Sequence, residues 1–483
     1  MSGLRRTKIV ATLGPATDGS GMLDRLVAAG LDAARLNYSH GEANDHAKRA
    51  AAVREAAAKA GREIGIIADL QGPKIRLERF VDGAIELVPG KRFVIDAEWH
   101  TDQGNSKVVG VTYKTLPNDV VAGDRLLVDD GRIVLEIESV DGPRINTAVI
   151  VGGKLSNNKG VNRQGGGLSA PALTDKDRAD LAHALTHGAD YIAVSFPRSA
   201  EDIEAARELI HAAGSDAGII AKMERAEALD FADDIIAASD CIMIARGDLG
   251  VEIGDARLPP AQKQLIAKAR AQNRSVITAT QMMESMIEQP LPTRAEVMDV
   301  ANAVLDGTDA VMLSGETSVG AYPDKAVEAM SRVCLGAEAE WTDPESSILP
   351  ERNFGRVDEA IAMSAIYCSK HFRIKAIAAL TESGTTPLWM SRVNAATPIF
   401  ALARHPETLR RVTLYRNVYP AYFDFNNVPY SEVTQAVLTL LAERGVVENG
   451  DRVIITKGDL HGYSGGTNGM KIVTVGDFVE HVG

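Results

Sequence analysis

The sequence predicts an α/β chain: a (β/α)8 barrel, interrupted by an inserted small β-barrel lid domain and followed by a doubly wound α/β domain. Three observations predict it. Eight short apolar runs alternate with helix-like stretches, and each run ends in polar residues. A segment from about Pro73 to Pro171 has a different texture, with Gly- and Pro-punctuated hairpins and few legible helices. Beyond Val357, helix and strand alternate again. The expected boundaries are 1–72 and 171–345 for the barrel, 73–170 for the insert and 346–483 for the last domain. A chain of 483 residues is too long for one core, so several domains are expected.

The eight runs are TKIVATLG from Thr7, DAARLNYS from Asp32, IGIIADL from Ile64, YIAVSF from Tyr191, GIIAKME from Gly218, CIMIARGD from Cys241, SVITATQ from Ser275 and AVMLSGE from Ala310. Short apolar runs between helices read as parallel strands. Their polar ends are Arg35, Asn37 and Ser39; Asp69; Ser195; Lys222 and Glu224; Arg246 and Asp248; Thr280; and Ser314 and Glu316. In a barrel those ends meet on one face, where barrel active sites sit. Thr293 with Glu296 fits a capping box before VMDVANAVL. In the insert, FVDGAIEL and VDDGRIVLEIESVDGPRI put Asp-Gly between alternating strands, a hairpin signal. An insert at the barrel mouth is suited to act as a lid. WTDPESSILPERNFG reads as a connector, and VDEAIAMSAIYCSKHF, KAIAALT, TPLWMSRVN and PIFALA carry the alternation of the last domain.

Composition is that of a globular protein, 45% hydrophobic and 24% charged. No apolar run reaches the ~18 residues of a membrane span, and the apolar part of the N-terminal stretch is too short for a secretion signal. A cytoplasmic location is therefore expected. Cys241, Cys334 and Cys368 are far apart and odd in number, which predicts reduced thiols and no disulfide framework or zinc site. A net charge of −13 argues against general nucleic-acid affinity. It leaves anionic substrates open, because a site can be locally positive in an acidic protein.

Lys222 and Glu224 lie two apart, on one face of a strand. Unpaired charges are rarely buried in a core, so the pair marks either a surface ion pair or the edge of a site. ARGDLGVE puts Asp248 in a tight turn after the next strand, with the Gly247 N–H exposed. Two carboxylates from adjacent strand ends suit Mg²⁺, which leaves room for substrate oxygens. Arg35 suits bidentate phosphate binding, and Asn37, Ser39 and His40 add polar groups, although His40 alone reads as a structural histidine. Thr280 reads as a site residue or a helix cap, with Met282, Met283 and Met286 as core.

These motifs, together with TKIVATLGPAT, ADLQGPKIR, LVDDG, NKGVN and PTRAEVMDVANAVLDGTDAVMLSGETSVGAYP, resemble the pyruvate kinases, nearly end to end and in order. The resemblance implies transfer of the phosphoryl group of phosphoenolpyruvate to ADP, giving pyruvate and ATP. It implies Mg²⁺ or Mn²⁺ on Glu224 and Asp248, catalysis by Lys222 and Arg35, and substrate contacts from Arg35, Lys222, Gly247, Asp248 and Thr280. Nucleotide contacts match Asn37, Ser39, His40, Arg76 and Lys159. A water held by Thr280 and Ser314 is expected to protonate the enolate. The family's K⁺ ligands match Asn37, Ser39, Asp69 and the carbonyl of Leu70. Members that need K⁺ usually carry Thr and Glu where this chain has Leu70 and Lys74; DLQGPK resembles the type that works without it. The expectation is that Lys74 supplies a tethered positive charge near Asp69.

Regulation is expected at Thr381, Ser383, Gly384, Thr385 and Thr386, where hydroxyls and N–H groups at a helix start suit phosphate; simple capping is the alternative. The late loop KGDLHGYSGGTNGMK has lysines only at its ends, Lys457 and Lys471, and an acid, Asp459. That favours a sugar monophosphate or AMP over fructose 1,6-bisphosphate. The resemblance also implies a homotetramer. Two rival functions are another phosphoenolpyruvate-using Mg²⁺ barrel enzyme and a non-catalytic sugar-phosphate sensor.

Overall fold

Strands β1 (Lys8–Leu13), β2 (Ala33–Asn37) and β3 (Gly65–Asp69) begin the barrel. The structure, a computed structural model, describes residues 4–340, 354–393, 395–459 and 465–477. The insert follows with β4 (Ala84–Leu87), β5 (Arg92–Asp96), β6 (Val108–Gly110), β7 (Arg125–Val128), β8 (Ile133–Asp141), β9 (Arg144–Val151), β10 (Gly153–Ser156) and β11 (Val161–Arg163). The chain returns through β12 (Tyr191–Val194), β13 (Gly218–Met223), β14 (Cys241–Ala245), β15 (Ser275–Ala279) and β16 (Ala310–Leu313). The barrel closes in the order β1-β16-β15-β14-β13-β12-β3-β2, and all its pairings are parallel. β3 pairs directly with β12, Ile67 opposite Tyr191, so the insert leaves the barrel without interrupting it.

Period-two alternation explains why both faces of these runs are apolar. Val10, Ile67, Ile220, Met243 and Ile277 belong to one buried cluster, while Ile9, Ile66, Ile192 and Ile219 pack with the outer helices in another. The capping box forms as expected. Thr293 accepts from the Glu296 N–H at 3.3 Å, and Glu296 accepts from the Thr293 N–H at 2.7 Å.

The insert surrounds its own apolar core, which includes Phe93, Leu116, Val128 and Leu135. Its strands form a six-stranded sheet, β11-β7-β8-β9-β5-β6, and a two-stranded sheet, β10-β4. Two of the Asp-Gly signals are hairpins: Val128 faces Ile133 across Asp130-Gly131, and Asp141 faces Arg144 across Gly142-Pro143. The third is not. Asp82-Gly83 closes a turn, Gly83 N–H to Phe80 carbonyl at 3.0 Å, but β4 then pairs antiparallel with the distant β10. Leu87 and Leu155 join the insert core through that pairing, a gain that no local turn signal reports.

The last domain holds β17 (Ala376–Leu380), β18 (Ile399–Ala403), β19 (Val418–Tyr422), β20 (Arg452–Gly458) and β21 (Thr467–Thr474), in the order β19-β18-β17-β20-β21. β21 is antiparallel and the other pairings are parallel. This domain packs under the N-terminal ends of the barrel strands. Lys8 Nζ donates to the Val418 carbonyl at 2.6 Å, the Tyr191 hydroxyl to the Arg411 carbonyl at 2.8 Å, and Arg392 is ion-paired with buried Asp309. Cys241 and Cys334 are buried, Cys368 is half-buried, and all three are free. Among the described residues no helix is long and apolar enough to cross a membrane.

Candidate active site

At the opposite end, where the barrel strands finish, the insert and the barrel enclose a cavity of about 300 Å³. Arg35, Asn37, Ser39, His40, Lys74, Arg76, Lys222, Glu224 and Asp248 line it, and the insert adds Asp130 and Asn162. Of the strand ends expected from sequence, those at β2 and β13 and Asp248 after β14 line the cavity; Asp69 and Ser195 reach it through Lys222, and Arg246, Thr280, Ser314 and Glu316 do not line it. A larger groove, about 590 Å³, lies on the barrel's outer helices. There Arg49 is held by Asp18 at 2.7 Å and Lys59 by Asp24.

β13 delivers Lys222 into the cavity floor, where it is 8% exposed. Its ammonium donates to Ser195 Oγ at 2.7 Å and lies 3.1 Å from Asp69 Oδ1 and 2.8 Å from Glu224 Oε1. The surface-pair alternative is thereby removed. Burial disfavours the ammonium, but Asp69 and Glu224 outweigh burial and raise its pKa, so Lys222 stays charged. Asp69 is fully buried and also accepts from Arg35 Nε at 2.6 Å. Burial would raise its pKa; Arg35 and Lys222 overcome that and hold it below the usual carboxylate range. Arg35 Nη1 donates to Thr12 Oγ1 at 2.9 Å, which fixes the guanidinium at the cavity edge.

Glu224 is 1% exposed, and burial pushes its carboxyl up to about 7, opposed by Lys222 and reinforced by Asp248. Asp248 is raised by burial too, with Lys222 opposing and Asp130 reinforcing. Two hard carboxylates with excess proton affinity, facing one cavity, have the donor chemistry that Mg²⁺ requires. Among the described residues no group of three or more His, Cys, Asp or Glu side chains is arranged to hold a metal.

Several expectations need correction. Asp248 is not in a tight turn; it sits in the first turn of the helix Arg246–Ile253, which starts directly after β14. The Gly247 N–H is not exposed, because it donates to Thr280 Oγ1 at 2.8 Å. Thr280 caps no helix. It has φ +66°, costly for a β-branched residue, and its hydroxyl also donates to the Ala279 carbonyl at 2.7 Å. Arg246 stays out of the cavity. It clasps Asp299 with two bonds of 2.7 Å and donates to the Thr280 carbonyl at 2.7 Å, so it pins the strained turn. Met282, Met283 and Met286 are fully buried, as core residues should be. Ser314 lies just past β16 with its N–H on Glu316 Oε2 at 2.6 Å. Lys159 is paired with Asp129 at 2.7 Å and does not line the cavity, although Gly160 does.

Lys74 does not pair with Asp69, whose carboxylate is shared by Arg35 and Lys222. It lines the cavity half-buried. Burial, with Arg76 beside it, pulls its ammonium down to about 8, and the acid opposing that shift is Asp248. His40 also lines the cavity. Burial and the cations Lys74, Arg76 and Arg35 hold it below its ordinary pKa, so it is neutral. Sequence reasoning named Ser195 as a strand end but gave it no task. Its hydroxyl donates to the Leu70 carbonyl at 2.7 Å while accepting from Lys222, and so orients the lysine. Phe196 was missed altogether; at φ +56° it aims its N–H at Glu224 Oε2, 2.9 Å away, and nothing in a lone phenylalanine signals that.

The expected effector loop follows β17. Gly384 has φ +84°, its N–H donates to Thr381 Oγ1 at 2.9 Å, and Ser383 and Thr385 hydroxyls bond each other at 2.8 Å. Thr386 is buried against Thr467 at 3.0 Å. Lys457 lies 3.5 Å above the Tyr430 ring, and Lys471 is exposed. Residues 460–464 of the late loop lie outside the described residues.

A closed barrel with a buried lysine–carboxylate centre under an inserted sheet defines a barrel enzyme with a cationic, metal-competent cleft. A family model described as pyruvate kinase, barrel domain, matches residues 4–327, and one described as pyruvate kinase, alpha/beta domain, matches residues 359–473. The chain is 54% identical to pyruvate kinase II of Salmonella typhimurium over 98% of this chain and 99% of that one. It is 53% identical to pyruvate kinase of Haemophilus influenzae over 94% and 96% of the two chains. A crystal structure of a pyruvate kinase from Cryptosporidium parvum superposes with a TM-score of 0.91 at 36% identity, covering 97% of this chain and 96% of that one. The chain belongs to the pyruvate kinase family.

Proposed function

We propose that the cavity residues divide the work of phosphoryl transfer from phosphoenolpyruvate to ADP, the reaction of this enzyme family, which yields pyruvate and ATP. One observation carries the reading: Lys222, buried and held by Ser195, Asp69 and Glu224 at the floor of the cleft. Phosphoryl transfer is mostly positioning and charge neutralisation. Arg35 and Lys222 supply positive charge where the equatorial oxygens gather negative charge. Lys222 then stabilises the enolate oxygen of the leaving group. Members of the family use Mg²⁺; held by Glu224 and Asp248, that ion or Mn²⁺ would neutralise further phosphoryl charge.

Gly247 and Thr280, locked together by their hydrogen bond, hold the substrate's carboxylate and three-carbon unit. An aliphatic hydroxyl is a weak acid, so a water between Thr280 and Ser314 delivers the proton to the enolate carbon. Asn37, Ser39, His40 and Arg76 contact phosphate and nucleotide. Lys159 joins them after leaving Asp129, a lid movement of the insert. The division at 72/73, 170/171 and 345/346, the cytoplasmic location and the homotetramer belong to the same reading. An assay of ATP formation from ADP and phosphoenolpyruvate tests it; the two rival functions give none.

K⁺ independence has new support with a changed rationale. Two of the four positions matched to K⁺ ligands are already engaged by cations or a donor: the Asp69 carboxylate is ion-paired with Arg35 and Lys222, and the Leu70 carbonyl accepts from Ser195. Lys74 adds its charge to the cleft on the Asp248 side. Full activity is expected with Mg²⁺ and a tetramethylammonium salt. Lys74→Glu is expected to lose activity and regain part of it with K⁺. Strong K⁺ activation of the wild type sinks the reading. The pH dependence follows from the same group. Lys74 is charged below about 8 and neutral above it, so kcat/KM should fall as pH rises through 8. Lys74→Arg keeps the charge and should move that fall to higher pH; an unmoved alkaline limb assigns it elsewhere.

Regulation at Thr381–Thr386 rests on hydroxyls gathered at the start of helix Thr385–Arg392, with Gly384 adopting a conformation that suits glycine. A sugar monophosphate or AMP is the proposed activator, in preference to fructose 1,6-bisphosphate. Phosphoenolpyruvate saturation curves with each compound test it. In Ser383→Asp the added charge should abolish the response; a bisphosphate as strongest activator, or an unaltered mutant, removes the proposal.

A further inference from the structure

The turn that follows β2, Tyr38 to Gly41, carries Ser39 and His40 into the cavity and belongs to no helix or strand. Three ties from outside hold its backbone. The Tyr38 N–H donates to the Asp69 carbonyl at 2.9 Å. Lys176 Nζ donates to the Tyr38 carbonyl at 2.9 Å. The third tie comes from His46, near the start of helix Ala43–Ala60, whose Nε2 lies 3.0 Å from the His40 carbonyl.

A carbonyl only accepts, so Nε2 of His46 carries the hydrogen. That fixes the tautomer and leaves Nδ1 bare. Nδ1 is buried, and no hydrogen-bond partner is found for it among the described residues. The imidazole is 3% exposed and stacks on Tyr38 with ring centres 4.2 Å apart and planes 23° from parallel. Tyr38 is fixed on its far side by a 3.1 Å bond between its hydroxyl and His183 Nδ1. A phenylalanine would stack equally well without burying an unpartnered nitrogen, and burying one is unfavourable. What histidine adds at this place is a single donor, and that donor is directed at the His40 peptide.

We infer that His46 is a positioning residue for nucleotide binding: its Nε2–H holds the His40 carbonyl and thereby sets the Ser39–His40 edge of the cavity against the phosphates of ADP. The inference rests on the reading of Ser39 and His40 as nucleotide contacts. His46 touches neither substrate itself.

Steady-state kinetics with ADP and phosphoenolpyruvate varied separately test it. His46→Phe keeps the stack and removes the donor. It should raise KM for ADP roughly five- to tenfold, the scale of one lost hydrogen bond, with KM for phosphoenolpyruvate and kcat within about twofold. His46→Gln keeps an N–H donor and loses the ring, and should restore KM for ADP to within about twofold of wild type even where its thermal stability is lower. If phenylalanine does not fit, His46→Leu carries the same prediction. Unchanged kinetics in His46→Phe overturn the inference. Equal impairment of the Phe and Gln variants, tracking their loss of Tm, also overturns it, because that is the signature of packing alone. His40→Ala separates the two levels. A normal KM for ADP there refutes the nucleotide-contact reading beneath the inference; a raised one beside a normal His46→Phe refutes only the positioning.

Discussion

Lys222→Met is expected to lower kcat by roughly 10²-fold or more, the scale for losing one focused charge in a water-poor site. KM for phosphoenolpyruvate should move far less, because Arg35, Glu224 and Asp248 remain. Methionine matches the stem of lysine in length, so the barrel floor stays filled and the effect reads the ammonium. The fold tolerates the change only in part: Asp69 keeps Arg35, while Glu224 loses its only cation within ion-pair distance among the described residues. Stopped-assay kinetics with a folding control by circular dichroism measure both quantities. Full turnover in this variant removes Lys222 from the chemistry.

Asp69→Ala should combine the second large loss of activity with a loss of stability. Asp69 is fully buried and is the acid shared by Arg35, at 2.6 Å, and Lys222, at 3.1 Å. Removing one partner from a buried ion cluster typically costs about 3–5 kcal/mol, because the remaining charges stay desolvated. Here two cations are left, and they repel each other. Urea unfolding followed by circular dichroism should show an earlier first transition, and kcat should fall more than tenfold. A variant with wild-type unfolding and turnover would mean that Ser195, Glu224 and Thr12 suffice to hold the two cations.

The barrel was readable because its strands announce themselves. A parallel strand buried on both faces must be apolar throughout, and where it emerges it must turn polar. Seven of the eight runs turn polar in this way, through to AVML in β16; KIVATL in β1 instead runs on into Gly14 and Pro15. The insert was readable in texture but not in pairing. An Asp-Gly dipeptide specifies a turn, yet β4 found its partner nearly seventy residues downstream in β10. Pairing of that kind is decided by which apolar faces complete a core, and a turn carries no record of it. The site was legible as a set of residue types, not as a set of contacts. Nothing in IADLQGPKIR shows that Asp69 is consumed by Arg35 from β2 and Lys222 from β13.

By itself the sequence determined the class of architecture, the family and several of the strand ends that form the cleft, since each is written in local periodicity or in an ordered series of motifs. Only the tertiary structure decided which charges neutralise which. It showed Lys222 held between two acids and Ser195, Lys74 not paired with Asp69, the Gly247 N–H spent on Thr280, and His46 tied to the His40 carbonyl. The physical reason is that the existence of a buried strand is marked by apolar periodicity, which is local in sequence, whereas strand partners, and the hydrogen bonds and ion pairs at the cleft, join residues distant in the chain. Their energies depend on ångström-scale distances and on burial, and these exist only after the barrel has closed.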